Sequence, residues 1–190
     1  MARTRTFIGV AINDPIRAAA KAMQATLARG GADVKWVESA NLHVTLLFLG
    51  EIDDADLVAA CRAAAKAAAS EAPFVLRVGG VGAFPTPRRP KVLWGGITEG
   101  ADALLRLHAA TAGPLLELGA YRQEERGYTP HLTLGRAKGE EDAALLAPEL
   151  TKHLSWTAGQ TTVEEVLVYS SELRRDGVEY TVLGRSPLLG

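Results

Sequence analysis

The sequence predicts an α+β fold of two pseudo-symmetric β-α-β-α-β lobes around a central cleft, and three observations carry that prediction. Apolar runs of strand length alternate with segments whose apolar residues recur at helical spacing. The order β-α-β-α-β occurs twice. The two occurrences keep nearly one offset: Val92 follows Phe7 by 85 residues, His131 follows His43 by 88, Ala144 follows Leu57 by 87 and Val163 follows Phe74 by 89. That period is far too long for a solenoid array. It reads as a duplication with elements over about 7–81 and 92–170, held within one domain spanning 1–190.

The elements follow in order. The apolar run 6–12 stops at Asn13-Asp14-Pro15, a capping side chain followed by a proline suited to a first helical turn. Ile16, Ala20, Met23 and Leu27 then recur at helical spacing until Gly30-Gly31. Residues 42–49 read as a strand closed by Gly50. Asp53-Asp54 opens an Ala-rich helix to about Ser70, with its acids where the helix dipole favours them. Residues 74–78 form a third strand, and the Gly/Pro-rich segment 79–90 reads as the connection between lobes. The second repeat gives a strand over 92–97, a helix from Asp102 to about Ala112, a strand over 131–134, a helix over 141–150 and a strand over 163–170. Arg175-Asp176-Gly177 between two alternating runs signals a closing hairpin.

Composition removes several function classes. At 190 residues and 47% hydrophobic the chain has the material for a real core. No stretch approaches the roughly 18 to 20 uncharged apolar residues of a membrane span. Met1-Ala2-Arg3-Thr4-Arg5 leads into a strand and not into a signal-peptide core, so the expectation is a cytoplasmic protein with no membrane attachment. Cys61 is the only cysteine, which excludes an internal disulfide and a cysteine-built zinc cage. With 21 basic against 22 acidic residues the net charge is −1, too little for a broad field along a nucleic-acid backbone. Any nucleic-acid contact is expected to be local, at an end or a single phosphate. Gly79, Gly80 and Gly82 match no phosphate-cradling loop, while Arg88, Arg89 and Lys91 fit a solvated turn or a phosphate contact equally well.

Two of the four histidines stand in His43-Val44-Thr45-Leu46 and His131-Leu132-Thr133-Leu134, the same element of the two repeats. Strand alternation turns His43 with Thr45, and His131 with Thr133, toward one face, while the aliphatic residues anchor each strand. A cleft holding two imidazoles and two hydroxyls suits phosphodiester cleavage. One imidazole deprotonates the nucleophile, the other protonates the leaving oxygen, and the hydroxyls donate to the non-bridging oxygens. None of these roles requires a metal or cofactor. At the reference histidine pKa of about 6.5, the pairing implies a bell-shaped rate profile around pH 6 to 7. His108, within a helical pattern, and His153, near a helix end, read as structural, and Cys61 reads as a small core residue.

The paired tetrads, with Arg5-Thr6-Phe7 near the start and Gly82-Ala83-Phe84-Pro85 through Val92-Leu93-Trp94 between the lobes, resemble the two-histidine phosphoesterase superfamily. Within it the likeness is to the RNA 2′,3′-cyclic phosphodiesterase branch, also called the 2′-5′ RNA ligase family, over nearly the whole chain. The resemblance implies a bilobal α+β fold with antiparallel-rich sheets and metal-free hydrolysis of a terminal 2′,3′-cyclic phosphate to a 2′-phosphate. By that resemblance His43 donates a proton to the departing 3′-oxygen and His131 activates water. Thr45 and Thr133 bind the phosphate, and Arg136 and Phe48 stand at substrate-binding positions. The implied partners are RNA ends or small cyclic nucleotides carrying the cyclic phosphate, with no obligate protein partner.

Strict alternation would turn Phe48 and Arg136 away from the cleft, since each lies five positions after its histidine. Gly135 lets the chain leave the strand and so returns Arg136 to the cleft. Phe48 has no such relief, and core and base-contacting readings both stay open for it. Three other functional readings remain. ATP-independent 2′-5′ ligation is the same chemistry run backwards. A non-catalytic RNA-end-binding module would need no matched acid and base. A metallohydrolase would need carboxylates or a third histidine beside the tetrads, which they lack.

Overall fold

The described residues, 3–122, 127–139, 141–175 and 177–190, form nine strands and four α-helices in a computed structural model of the chain. The first half runs β1 (Thr4–Ala11), α1 (Asp14–Ala28), β2 (Val34–Trp36), β3 (His43–Ile52), α2 (Asp54–Ala69) and β4 (Phe74–Thr86). The second runs β5 (Arg89–Glu99), α3 (Ala101–Glu117), β6 (His131–Ala137), α4 (Asp142–Lys152), β7 (Thr157–Val163), β8 (Glu165–Arg174) and β9 (Gly177–Pro187). The cap read at Asn13-Asp14-Pro15 forms, the Asn13 carboxamide accepting from the Ile16 amide at 3.2 Å, and Asp53, read as an acid placed for the helix dipole, also caps its helix by accepting from the Asp56 amide at 2.9 Å. No helix among the described residues is long and apolar enough to cross a membrane.

The strands make one sheet in the order β7-β4-β5-β6-β3-β1-β8-β9, with β2 added to β6 and every recorded pairing antiparallel. Its two halves meet at a single recorded bridge, Val44 with Leu132 between β3 and β6. The sheet therefore divides there into two lobes. Helices α2 and α3 cover the β3-β1-β8-β9 half, and α1 and α4 cover the β7-β4-β5-β6 half. Apolar residues on the helix-facing side, among them Ile8, Val10, Val44, Val168, Leu93 and Leu132, are fully buried and leave the opposite face to the cleft.

Sequence repeat and spatial lobe do not coincide strand for strand. β4, the last strand of the first repeat, pairs with β5 and β7 in the second lobe, whereas β8, its counterpart, pairs with β1 in the first. Helices cross over likewise, α1 packing on β6 and β7 and α3 on β3.

Several boundaries differ from the sequence reading, each for a physical reason. The segment 79–90 is not a connection: β4 and β5 pair through most of it as a long hairpin. Its glycines erase the side-chain alternation by which a strand is recognised. Gly50 does not close β3, which runs on to Ile52. α3 passes Ala112 and includes Pro114. Val163 ends β7, and the strand read over 163–170 begins at Glu165 and extends to Arg174. β2 is three residues long and β7 is polar and Gly-containing, so neither shows an apolar period. β8 and β9 do pair as the hairpin signal requires, with Asp176 itself outside the described residues.

Gly82 shows what those glycines do. A Cβ there would lie 2.2 Å from the Trp94 indole, which occupies the space over the glycine backbone. Gly82→Val is therefore expected to lower stability by about 1–3 kcal/mol through overpacking. An unchanged denaturant midpoint would show that the indole has room to move.

Candidate active site

The Val44–Leu132 bridge sets the geometry of the cleft. Antiparallel pairing centred there places His43 across from Thr133 and Thr45 across from His131. The arrangement is a crossed quartet about a local twofold axis. Each imidazole is held in the same way: His43 Nδ1 lies 2.7 Å from the Asn41 carbonyl oxygen, and His131 Nδ1 lies 2.7 Å from that of Thr129. A carbonyl only accepts, so each Nδ1 carries its proton and each Nε2 is left for chemistry. In the first lobe the Thr45 hydroxyl donates to the neutral His43 Nε2 at 2.8 Å.

Matching bulges re-aim the residues beyond the tetrads. Along β3, Thr45 pairs with Gly9, Leu47 with Ile8 and Phe48 with Phe7, so Leu46 is an inserted residue and alternation shifts by one. Along β6, Thr133 pairs with Trp94, Gly135 with Leu93 and Arg136 with Val92, so Leu134 is the insertion. Phe48 and Arg136 thus join the cleft face. Phe48 is 53% exposed with its ring 6.0 Å from that of Phe7, which makes it a cleft residue and not core. Gly135 does not lead the chain out of the strand; β6 continues to Ala137, and the bulge at Leu134 is what returns Arg136.

The carbonyls displaced by the bulges are capped from pseudo-equivalent helix positions. His108 on α3 donates from Nδ1 to the Leu46 oxygen at 2.8 Å, and Gln24 on α1 donates to the Leu134 oxygen at 2.9 Å. Tyr128 stacks on His108 at 4.2 Å and donates to the Thr45 oxygen at 2.9 Å. His108 is thus structural, as its helical setting implies. Gln24, Tyr128 and the bulges escaped the sequence reading; the signal available was that Gln24 and His108 stand 84 residues apart, close to the repeat offset.

Aromatic rings wall in both imidazoles. His43 stacks on Phe7 at 4.7 Å and meets the edge of Tyr180 at 5.4 Å, with Tyr169 stacked beyond Phe7 at 4.8 Å. His131 meets Phe84 at 5.0 Å. Burial lowers the His43 pKa from 6.5 to about 4; the Asn41 carbonyl opposes that shift, while Arg17 and His131 add to it. His131 is also lowered, first by burial and then by Arg136, against the pull of the Thr129 carbonyl. Both shifts favour the neutral imidazole in the free protein.

A cavity of about 570 Å³ opens beside His43, bounded by Asn41, Tyr169, Tyr180, Arg17 and Arg185. Its arginines are occupied: Arg17 donates to the Ser39 oxygen at 2.6 Å, and Arg185 pairs with Glu165 at 2.6 Å. Glu38, Glu165 and Glu179 also line it. No cluster of three or more His, Cys, Asp or Glu suited to a metal ion occurs among the described residues.

Comparison with known proteins gives a consistent picture. Residues 10–94 match the family described as LigT-like phosphoesterase. The RNA 2′,3′-cyclic phosphodiesterase of Archaeoglobus fulgidus is 35% identical over 93% of this chain and 96% of its own, and that of Methanothermobacter thermautotrophicus is 32% identical over 94% and 96%. A crystal structure of a Thermus thermophilus protein superposes with a TM-score of 0.82 at 31% identity, covering 98% of each chain. Escherichia coli LigT complexed with 3′-AMP shares the fold, with a TM-score of 0.79 at 24% identity over 99% of each chain.

Proposed function

The chain belongs to the LigT-like phosphoesterase family, and from that membership and the crossed quartet we propose that it opens RNA 2′,3′-cyclic phosphate ends to 2′-phosphomonoesters by paired-histidine catalysis. It is an enzyme of cyclic phosphodiester hydrolysis. The observation that supports the mechanism is the symmetric anchoring of both Nδ1 atoms, which leaves two Nε2 atoms from opposite lobes facing one cleft.

In the proposed reaction His131 Nε2 takes a proton from water as the water oxygen attacks phosphorus. The bond from phosphorus to the 3′-oxygen breaks, and protonated His43 gives its Nε2 proton to that oxygen. The bound phosphodiester anion supplies the negative charge that lets a buried imidazole hold a proton. Once His43 is protonated, Thr45 no longer donates to Nε2 and its hydroxyl turns to a non-bridging oxygen, with Thr133 donating from the other lobe. Arg136 adds positive charge at the phosphate and Phe48 offers an exposed ring to a base.

The cavity favours one direction. In-line attack places leaving group and water on opposite sides of phosphorus, and the leaving oxygen belongs to the terminal nucleoside. Room for a nucleoside lies beside His43, within the 300 to 1,000 Å³ or so usual for ligand pockets. His43 is accordingly the donor. Residues of both repeats build the site, so the whole chain acts as one domain.

The test is to incubate the protein with a short RNA ending in a 2′,3′-cyclic phosphate, with and without EDTA. The expected product is a phosphatase-sensitive 2′-phosphate, formed equally in both. A 3′-phosphate would reverse the leaving group, and loss of activity on chelation restored by a divalent ion would move the chemistry to a metal.

A further inference from the structure

We infer that Arg5 holds the internucleotide phosphate one step 5′ of the cyclic end, beside Arg136 at the cyclic phosphate itself, and so makes the enzyme prefer an RNA chain over a cyclic mononucleotide. The inference rests on the cyclic-phosphodiesterase reading and adds to it a second anion site.

Sheet register places Arg5 at the cleft. On β1 the buried residues Thr6, Ile8 and Val10 face the helices, which turns Arg5, Phe7, Gly9 and Ala11 the other way. Thr6 pairs with Ser170 and Ser171 pairs with Tyr180, so Arg5, Ser171 and Tyr180 form one row across three strands. Tyr180 meets Phe7 at 4.8 Å and His43 at 5.4 Å. Arg5 therefore stands on the cleft face one rung past Phe7, in the row of Tyr180, which lines the cavity. The bulge at Leu134 puts Arg136 on the cleft face of β6, and the charges of Arg136 and Arg5 both act on the Tyr180 hydroxyl.

Charge availability points the same way. Arg17 and Arg185 are engaged, and three carboxylates share their cavity, which makes it a poor exit for a phosphate backbone. Arg5 and Arg136 are exposed and enter no ion pair among the described residues. A nucleoside seated in the cavity with its 5′ oxygen toward Phe7 would direct the next phosphate to Arg5, whose guanidinium is in no ion pair among the described residues.

The experiment compares kcat/KM for cytidine 2′,3′-cyclic phosphate, for the dinucleotide ApC with the same cyclic end, and for that dinucleotide with a neutral methylphosphonate link. Wild type should prefer the natural dinucleotide, chiefly through KM, and lose most of that preference with the methylphosphonate. Arg5→Ala should reduce the preference about tenfold, the scale of one charged hydrogen bond, and become insensitive to the methylphosphonate. Arg62→Ala, on α2 behind the sheet, controls for the lost charge and should leave the preference as it is. A preference that survives both Arg5→Ala and the neutral link comes from the second base and overturns the inference, as does equal use of the mononucleotide and dinucleotide by wild type. Failure to hydrolyse even the mononucleotide would instead overturn the cyclic-phosphodiesterase reading beneath it.

Discussion

Removing either imidazole is expected to lower kcat by roughly 10²-fold or more, because positioned proton transfer typically contributes 10² to 10⁴. The fold should survive in His43→Ala and His131→Ala, since both rings lie on the cleft face and the strands are anchored from behind by Val44, Leu46, Leu132 and Leu134. The two losses should not add. Acid and base serve one transition state, so the double variant should fall little below the slower single variant. Steady-state turnover on a cyclic nucleotide, with thermal melts to confirm folding, measures all three. Near-full turnover in either folded single variant would end the paired-histidine mechanism.

The second large effect concerns pH. The working form carries one proton shared between the two imidazoles, and kcat/KM reports on the free enzyme. Because burial holds His43 at about 4 and also lowers His131 below 6.5, the singly protonated form peaks below pH 6.5 and not around pH 6 to 7. On the alkaline side both rings become neutral, so kcat/KM at pH 8 should lie roughly 30-fold or more beneath its maximum, from a falling limb of unit slope. On the acid side both rings become charged and the rate falls again. Bound substrate changes the balance: its anion raises both imidazoles, and the kcat profile should be displaced to higher pH than that of kcat/KM. Superimposed profiles, or a kcat/KM maximum above pH 7, would contradict this account of the free site.

The contrast between reference and buried pKa shows where sequence information stops. Composition and spacing identify two equivalent histidines, but the depression of His43 comes from Phe7, Tyr169 and Tyr180, which reach it from three other strands. The same holds for Phe48 and Arg136. Period-two alternation is a rule for a regular pleat, and a bulge becomes visible only when the partner strand supplies its register. What was legible had a local cause. The cap at Asn13, the helix start at Asp53-Asp54, the helical stripe from Ile16 to Leu27 and the terminal hairpin are all decided within a few residues of themselves. The long β4–β5 hairpin was hidden for the opposite reason: its glycines make room for the Trp94 ring, a demand set by a neighbour across the sheet.

The crossing of β4 and β8 between lobes bears on whether either repeat could fold alone. Cutting the chain between its repeats would not yield two complete half-sheets, for β1 would lose β8 as its outer neighbour and β4 would lose both strands it pairs with. A polypeptide one repeat long could fill those places only by trading its last strand with a second copy of itself. The present protein holds that exchanged arrangement inside one chain, with the Val44–Leu132 bridge where its two halves meet. Within one chain the two halves need not match: Phe48 stands five residues after His43 and Arg136 five after His131, so a cleft with a repeated frame offers an aromatic ring on one side and a guanidinium on the other.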